Sequence, residues 1–296
     1  MTTAISIGEC MVELRPVADG HLKRGFAGDA YNTAIYLKRS APDIDVQFLT
    51  ATGDDGLSDA MIATWREEGI GDRLVFRIPG ARPALYLIET NKKGDRTFHY
   101  WRGETPAKQW LRQLLAAGGA ELLNPADLIY VSGISLAILN YADRQAAIEL
   151  LGSLTTKVAF DPNIRPALWK SMDEARHTFE AMVKLAAIVL PSRQDYQLLY
   201  GIDDPQKQVD FTATLTNAEI ALTCDEAGCI LRYDGKTVAM PTQAVAVVDT
   251  SGAGDSFNGA YLAARLKGAA PPDAARAGLA LAAKVVALPG AIIPRD

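Results

Sequence analysis

The sequence predicts an α/β protein built around a mostly parallel central sheet with helices on both faces. Two observations support this fold class. Short apolar runs alternate with helical patterns along most of the chain, a rhythm typical of parallel strands joined by helices. Residues 83–102 break the rhythm, because two strand-like runs there flank a polar turn at 91–95 and have no adjacent helix. We therefore expect a second, smaller sheet.

Each element follows from the spacing of its apolar residues. Short apolar runs predict buried strands at 4–8, 46–50, 128–132, 158–161, 187–190, 220–223 and 245–248. Helical periodicity predicts helices at about 30–39, 57–68, 107–117, 142–153, 173–184, 193–200, 253–266 and 272–287. Polar–apolar alternation at 10–27 and the hairpin strands 84–90 and 96–101 predict the small sheet. This sheet would be a lid over the strand ends, or an edge or dimer surface, and both roles can hold together.

Composition narrows the class of protein. The 296 residues are expected to form a single domain, with a lid at about 10–27 and 83–102 inside it. A hydrophobic content of 49% and a charged content of 22% are typical of a soluble globular protein. The net charge of −5 gives no electrostatic footprint for nucleic acid, and it requires local Arg or Lys residues to hold any anionic substrate.

The cysteines and the lengths of the apolar runs predict the cellular compartment of the protein. Cys10, Cys224 and Cys229 have no neighbouring histidines, which favours reduced core thiols over a metal site. No apolar run reaches membrane length, and the N-terminal segment lacks the pattern of a signal peptide. We expect a cytoplasmic protein with no membrane partner.

The stretch Asp249-Thr-Ser-Gly-Ala-Gly-Asp255 carries the strongest chemical signal. Gly252 and Gly254 permit a sharp turn whose N–H groups lie at a helix N-terminus, which favours anions. The carboxylate of Asp255 on the same turn suits phosphoryl transfer to a hydroxyl group. A purely structural turn is the alternative. A P-loop is disfavoured because no Gly-Lys-Ser/Thr occurs here, and a dinucleotide-binding turn because Phe257 replaces the third glycine.

Further polar residues fall where a ligand should bind, at the carboxyl ends of strands. Asn32 interrupts an otherwise apolar helix face, where it is either a ligand contact or a satisfied buried amide. Asp161, Asn163 and Arg165 leave a strand end together, although an arginine there can simply be solvated. Ser192 and Asp195 start a helix, as an N-cap pair or as a water-mediated Mg²⁺ contact.

The hairpin contributes three more candidates. Tyr86, Tyr100 and Arg102 would share one face by the period of two residues in strands. Their alternative role is an aromatic cross-strand pair with a surface arginine. Arg102 and Arg165 together could clamp a carboxylate, a demand that a neutral ligand would not make.

Three motifs in order now resemble a known family. Gly8-Glu-Cys-Met-Val-Glu13, Gly28-Asp-Ala-Tyr-Asn32 and the 249–255 stretch are similar to those of the ribokinase-like (pfkB) carbohydrate kinases, and the resemblance spans essentially the whole chain. It implies a ribokinase-like three-layer fold with a small β-sheet lid. Within the family, the chain is most similar to the kinases of 2-keto-3-deoxygluconate, through stretches at 23–26, 85–89, 96–102, 131–139, 162–169 and 290–295.

The resemblance also implies roles for individual residues. Asp255 would be the catalytic base, beside an anion hole formed by the N–H groups of Gly252, Ala253 and Gly254. The substrate contacts would be Gly28, Asn32, Tyr86, Tyr100, Arg102, Arg165 and Asp255. The ATP contacts would be Asn163, Thr223, Gly228, Gly252 and Gly254. Mg²⁺ would lie near Ser192 and Asp195 through water, with K⁺ an option near Asp249 and Ser251. A homo-oligomer through the lid sheet would follow.

The implied reaction is ATP-dependent phosphorylation of the 6-hydroxyl of 2-keto-3-deoxygluconate. The alternatives are a fructokinase-like or ribokinase-like enzyme for a neutral sugar, and a non-catalytic sugar or nucleotide sensor. The third alternative rests on Asp225 and Glu226. Asp225 stands where the family usually has a glycine, and both carboxylates would repel phosphates unless they face solvent or a metal. The family's Asn-x-x-Glu motif is replaced by Ser192-Arg-Gln-Asp195.

Overall fold

The computed structural model describes residues 1–17, 20–90 and 96–295, and within them the strands form two sheets. The turn predicted at 91–95 lies outside the described residues. The strands are β1 (Thr3–Ile7), β2 (Met11–Pro16), β3 (Leu22–Ala27), β4 (Asp45–Gly53), β5 (Val75–Ile78), β6 (Leu85–Thr90), β7 (Arg96–Trp101), β8 (Leu128–Ser132), β9 (Lys157–Asp161), β10 (Ile188–Val189), β11 (Glu219–Thr223), β12 (Cys229–Tyr233) and β13 (Lys236–Met240).

Helices connect most of these strands. They are α1 (Asp29–Ser40), α2 (Gly56–Glu67), α3 (Trp110–Ala117), α4 (Ala120–Leu123), α5 (Gly133–Ala137), α6 (Tyr141–Ser153), α7 (Met172–Leu185), α8 (Arg193–Tyr200), α9 (Pro205–Leu215), α10 (Ala253–Leu266) and α11 (Pro271–Val286). Short 3₁₀ turns lie at Pro106–Gln109, Pro166–Leu168 and Asp225–Ala227.

The large sheet has the order β13-β12-β11-β10-β9-β8-β1-β4-β5. Its strands run parallel except for β12, which is antiparallel to both β11 and β13. Strand β1 pairs with β4 on one side and β8 on the other, so the direction of winding changes at β1. Ligands of open α/β sheets bind at the carboxyl ends of the strands beside such a change.

The alternation of side chains along the central strands builds a core on each face of the sheet. Ala4 and Tyr130 point to the face covered by α1, α2, α10 and α11, whereas Ile5 and Ile129 point to the face covered by α3, α6, α7, α8 and α9. The helix–sheet–helix layers confirm the predicted three-layer α/β fold.

The small sheet has the order β3-β2-β6-β7. Strands β6 and β7 form the predicted hairpin, with Tyr86 directly opposite Tyr100. Strand β6 also runs parallel to β2, and β2 pairs antiparallel with β3. One face of this sheet is held by a separate buried cluster of Met11, Ala27, Ala84, Tyr86 and Ile88.

One predicted strand is wrong. Residues 245–248 form no strand, and the residues Val247 and Val248 are 62% and 61% exposed. The sheet edge that this run would have joined is taken by the hairpin β12–β13, so only isolated bonds such as Val248 N–H to the carbonyl of Val286 at 2.8 Å remain. A short apolar run does not reveal whether a sheet edge is free to receive it.

Some elements were not predicted. Helix α9 is capped by Asp204, whose carboxylate accepts from the N–H groups of Gln206 and Lys207, and it begins with Pro205. That start signal is legible in the sequence. Strands β5, β12 and β13 are short or partly exposed, and they lack the strong apolar pattern of the central strands.

Candidate active site

Asp255 and Asn32 meet where α10 packs against α1. The Nδ2 group of Asn32 donates to Oδ2 of Asp255 at 2.8 Å. The two helices approach closely because Gly259 faces α1, where a Cβ atom would lie 2.6 Å from Cβ of Tyr36. Asn32 itself is buried, so its amide is held in one orientation beside the carboxylate. The structure thus joins two residues that the sequence singled out separately.

The surroundings of Asp255 shift the pKa of its carboxyl group toward neutral pH. Burial raises the pKa of Asp255 to about 7, and the charge of Asp29 adds to this rise, against the opposing effects of Asn32 and Arg165. A carboxylate with such a pKa can accept a proton from a hydroxyl group near neutral pH. Arg165 is exposed and bonds the carbonyl of Ile164 at 3.1 Å, but its charge reaches both Asp255 and Tyr100.

The turn before Asp255 requires glycine at Gly252. Its φ of +74° is left-handed, and a Cβ atom would lie 2.4 Å from the carbonyl oxygen of Ala291. Gly252 caps α10, and its carbonyl accepts from the N–H of Ser256 at 2.8 Å. Gly254 is exposed, with open space where a Cβ atom would stand. The backbone at the start of α10 is therefore accessible to an anion, although the N–H of Ala253 also makes a 3.3 Å bond to the carbonyl of Thr250.

Asp249, at the start of the turn, is tied to three segments. Its carboxylate accepts from the N–H of Ser251 at 2.9 Å, from the N–H of Gly290 at 2.5 Å, and from Nη1 of Arg96 on strand β7. Burial alone would raise the pKa of Asp249, but these donors outweigh it and lower the pKa. The same Nη1 group lies 3.0 Å from Oγ of Ser251. Sequence reasoning did not identify Arg96, which has no local motif that marks its partner.

The C-terminal segment supports the turn from behind. The hydroxyl of Tyr36 donates to the carbonyl of Ala291 at 2.7 Å and accepts from the N–H of Ile293 at 3.1 Å. Arg39 binds the carbonyl of Ile293 at 2.6 Å and pairs with Glu68 at 2.7 Å. Helix α1 thereby holds the segment that contacts Gly252.

A partly buried polar network surrounds Asn163. Its side chain donates to Asp29 at 2.9 Å, its backbone N–H donates to Asp161 at 2.9 Å, and its φ is +38°. Ser132 also donates to Asp29. Asn163 was predicted to contact ATP, and its link to Asp29 places it between the strand ends and the start of α1. That predicted contact stays a prediction.

Asp161, next to this network, accepts two further side-chain hydrogen bonds. Oδ2 accepts from Nδ2 of Asn258 at 2.8 Å and from the hydroxyl of Tyr130 at 3.2 Å. Burial, followed by the charges of Asp195, Asp255 and Asp29, raises the pKa of Asp161 well above its usual range. Asn258 lies three residues after Asp255 on the buried side of α10, a polar interruption of an apolar helix that sequence reasoning could have noted.

The hairpin residues lie together as predicted. The rings of Tyr86 and Tyr100 are 5.7 Å apart between centroids, and the Arg102 guanidinium lies 5.8 Å from the Tyr100 ring centroid. Tyr86 also donates to Glu13 at 2.5 Å, whereas Tyr100 is 51% exposed.

Arg102 has a partner that the sequence did not suggest. Its Nη2 group pairs with Oε2 of Glu9 at 2.5 Å. Glu9 is buried next to Gly28. A Cβ atom added at Gly28 would lie 2.2 Å from the carbonyl oxygen of Glu9, so only glycine fits there. Burial raises the pKa of Glu9, with Arg102 opposing the rise, and among the described residues Oε1 has no hydrogen-bond partner.

Thr223 and Gly228, which were predicted to bind ATP, lie at the end of β11 and just before β12. Thr223 ends β11 and forms an isolated β-bridge with Ser192. Gly228 has a left-handed φ of +94°, and a Cβ atom there would lie 2.1 Å from the carbonyl oxygen of Met240. Asp225 has a left-handed φ of +51°, which explains why glycine suits its position, and aspartate is among the residues that tolerate this conformation. Asp225 and Glu226 are both exposed to solvent.

The predicted metal residues form a capping box at the start of α8. Oδ1 of Asp195 accepts from the N–H of Ile164 at 2.7 Å, and Oδ2 accepts from the N–H and Oγ of Ser192, both at 2.8 Å. Within the described ranges no group of three His, Cys, Asp or Glu residues could cage a metal. Both carboxylate oxygens of Asp195 are thus bonded within the protein, and its predicted water-mediated contact with Mg²⁺ stays a prediction.

The chain is similar to known proteins over nearly its whole length. A family model described as pfkB family carbohydrate kinase matches residues 1–296. The chain is 38% identical over 302 residues to 2-dehydro-3-deoxygluconokinase from Dickeya dadantii (strain 3937), covering 98% of this chain and 96% of that protein. It is 36% identical over 301 residues to the enzyme of the same name from Escherichia coli (strain K12), with the same coverage of 98% and 96%.

A solved structure shows the same fold. The crystal structure of 2-dehydro-3-deoxygluconokinase from Thermotoga maritima matches with a TM-score of 0.87 at 20% identity, covering 99% of this chain and 96% of that one. In the part of the chain that the structure describes, no helix has the length and apolar character needed to span a bilayer. The match over the full sequence and the 38% identical relative show that this chain belongs to the pfkB family of carbohydrate kinases.

Proposed function

We propose that this protein transfers the γ-phosphoryl group of ATP to the 6-hydroxyl of 2-keto-3-deoxygluconate, the sugar acid also called 2-dehydro-3-deoxygluconate. The observation that carries the proposal is Asp255, held by Asn32 at the glycine turn with a pKa raised to about 7. The names of the relatives that are 36–38% identical support the choice of substrate.

The chemistry follows from the turn. The 6-hydroxyl oxygen forms a bond to the γ-phosphorus, the bond from that phosphorus to the β–γ bridging oxygen breaks, and its electron pair leaves with ADP. Asp255 accepts the hydroxyl proton. Backbone N–H groups at Gly252, Ala253 and Gly254 stabilise the charge on the transferring group. Mg²⁺, when bound with ATP, neutralises part of the phosphate charge.

The sugar-binding side favours an acid. Asn32 and Gly28 would position the hydroxyls, Tyr86 and Tyr100 would flank the sugar, and Arg102 and Arg165 would hold its carboxylate. Arg102 uses Nη2 to bind Glu9. The guanidinium has five N–H donors in a planar fork, so other donors remain for a substrate oxygen.

A neutral sugar is the second candidate, and one observation favours it. The Glu9 carboxylate already offsets the charge of Arg102, so this arginine does not by itself demand an anionic ligand. The sensor alternative loses its support, because Asp225 and Glu226 face solvent instead of turning inward.

A kinase assay that couples ADP formation to a spectroscopic signal tests the proposal. We expect turnover with 2-keto-3-deoxygluconate and its galactonate epimer, well above that with fructose or ribose. Phosphorus NMR of the product should show a phosphate ester on the terminal carbon. Faster turnover of a neutral ketose would replace the first function with the second. Sugar binding without ADP formation would favour the sensor.

Three further expectations belong to the proposal. A monovalent cation near Asp249 and Ser251, assembly through the small sheet, and a cytoplasmic location fit the family resemblance. The three cysteines are free and buried, which supports a reducing compartment.

A further inference from the structure

Two pairs of residues face each other where α1 packs against α10, namely Asn32 and Tyr36 on α1, and Asp255 and Gly259 on α10. Residues four positions apart share one face of a helix. The first contact is the hydrogen bond from the Asn32 amide to the Asp255 carboxylate. At the second, a Cβ atom added at Gly259 would lie 2.6 Å from Cβ of Tyr36. The face of α1 that orients the proposed base therefore carries Tyr36 one turn later.

The hydroxyl of Tyr36 makes two hydrogen bonds to the segment 291–293. It donates to the carbonyl of Ala291 at 2.7 Å and accepts from the N–H of Ile293 at 3.1 Å. Tyr36 is 1% exposed and packs with Val285 and Ile293, so the ring is held in place. Burial raises the pKa of Tyr36 to about 12, so the hydroxyl keeps the proton that it donates. Residues 291–293 belong to no helix or strand, and these bonds hold them instead of a backbone ladder.

The backbone of Ala291 limits where Gly252 can lie. A Cβ atom added at Gly252 would lie 2.4 Å from the carbonyl oxygen, 2.9 Å from Cα and 3.0 Å from the carbonyl carbon of Ala291. The preceding residue, Gly290, donates its N–H to the carboxylate of Asp249. The segment that Tyr36 holds thus contacts the turn at its first residue and again at Gly252, where the proposed anion hole begins.

We propose that Tyr36 is a positioning residue for phosphoryl transfer, whose hydroxyl holds the anion hole at its distance from Asp255 through Ala291. The inference rests on the proposed function. It assigns both halves of the chemistry to one face of α1, because Asn32 orients the base and Tyr36 supports the anion hole. An N–H donor that moves away from the transferring group stabilises the transition state less, whereas sugar binding in the ground state does not depend on it.

Tyr36→Phe tests the inference, because it removes the hydroxyl and keeps the ring. With the sugar that the wild type phosphorylates fastest, we expect kcat to fall about tenfold or more and KM for the sugar to stay within about twofold. A general loss of structure would not separate kcat from KM in this way.

Hydrogen–deuterium exchange without ligands gives a second measurement. In Tyr36→Phe, the backbone amides of residues 249–256 should exchange about fivefold faster or more, because hydrogen bonds that hold the supporting segment are lost. The exchange of the central strand β8 should stay within about twofold of the wild type. Since no substrate is present, this measurement tests the link from Tyr36 to the turn even if the proposed sugar is not phosphorylated.

Tyr31→Phe is the matched control. Tyr31 is also a buried tyrosine of α1, and within the described part of the chain its hydroxyl has no hydrogen-bond partner. This variant should leave kcat and the exchange of residues 249–256 within about twofold, because no bond is lost. A loosening of α1 caused by any change in its buried face would appear in both variants.

The proposal is overturned if Tyr36→Phe keeps the wild-type kcat, if its turn exchanges at the wild-type rate, or if Tyr31→Phe changes both quantities equally. If Tyr36→Phe fails to fold, Arg39→Gln decides by the same criteria. Arg39 lies on the same helix and binds the carbonyl of Ile293 at 2.6 Å, so its replacement releases the same segment. A wild type without kinase activity, but with the expected change in exchange, would refute the proposed function and leave the support of the turn by Tyr36 established.

Discussion

The side-chain amide of Asn32 donates to the carboxylate of Asp255 at 2.8 Å, across 223 positions of sequence. The bond orients the carboxylate at the glycine turn and favours its charged form, against the burial that favours the protonated form. A base that is neither fully ionised nor fully protonated near neutral pH is suited to take a proton and release it in each catalytic cycle.

Replacing Asp255 with Asn should remove most of the turnover. General-base catalysis contributes about 10²–10⁴-fold, so kcat should fall by this factor while the dissociation constant of the sugar changes only a few-fold. The coupled assay and calorimetry measure the two quantities. Asp273→Asn, at an exposed carboxylate on α11, is the control and should keep wild-type kinetics. Near-normal turnover in Asp255→Asn would remove Asp255 from its proposed role.

The pH dependence of kcat/KM should report the same group. Since Asp255 must be deprotonated, kcat/KM should rise with pH through a midpoint near 7. Asn32→Ala removes a hydrogen bond to the charged form, so the midpoint should move to higher pH. The profile of the free enzyme, measured at low sugar concentration, checks this. A midpoint that stays fixed or moves downward in Asn32→Ala would contradict the assignment.

Asp255 should also make folding stability depend on pH. Its pKa rises from an ordinary 3.8 to about 7 on folding, so the unfolded chain releases this proton first as pH rises. The stability linked to this group is full below about pH 4 and is lost progressively up to about pH 7. Asp255→Asn removes the dependence, and its melting temperature should exceed that of the wild type more at pH 8 than at pH 4. Thermal melts at both pH values test this, and an equal difference at both would refute it.

Alanine substitutions at two glycines of the turn should affect the free energy of unfolding and kcat differently. Gly252→Ala places a Cβ atom 2.4 Å from the Ala291 carbonyl oxygen at a φ of +74°, and we expect a loss of roughly 1–3 kcal/mol or more. Gly254→Ala meets open space on a helix, so stability should hold or rise by about 0.5–1 kcal/mol. The added methyl group would nevertheless lower kcat by crowding the transferring group. Urea unfolding and kinetics separate the two effects, and equal stability losses would contradict the geometry.

Arg102→Ala should change substrate preference. KM for the sugar acid should rise about tenfold or more, because a charged hydrogen bond is lost, and KM for a neutral ketose should rise less. The variant also leaves Glu9 buried without its ion pair, so its stability should fall. Adding Glu9→Gln should recover part of that stability without restoring KM for the acid. An equal rise of KM for both sugars would argue against a carboxylate contact.

Local patterns in the sequence predicted the features that depend on local physics. The period of two predicted that Tyr86 and Tyr100 share one face of the hairpin, and the glycines of 249–255 predicted the turn at the start of α10. The prediction of a buried strand at 245–248 is wrong, because the burial of an apolar segment depends on which strand occupies the sheet edge. The ion pairs of Arg96 with Asp249 and Arg102 with Glu9 join residues 153 and 93 positions apart. The spacing of residues within a short stretch of sequence does not indicate a pairing over such distances.

The roles of the site residues depend on geometry that residue types do not contain. Asp225 occupies a left-handed position that the sequence presented only as an unusual acidic residue. Asp195 looked like a metal ligand or a helix cap, and its bonds to Ser192 and Ile164 establish the cap without testing a metal-bound water. Its predicted part in Mg²⁺ binding therefore stays a prediction.

The tether between α1 and the C-terminal segment has a practical consequence for protein engineering. Ala291 and Ile293 are bound by Tyr36, and Ala291 lies against Gly252, so the segment 291–293 supports the turn that bears Asp255. Trimming residues 290–295, or fusing a bulky tag directly after them, would disturb catalysis from outside the cleft.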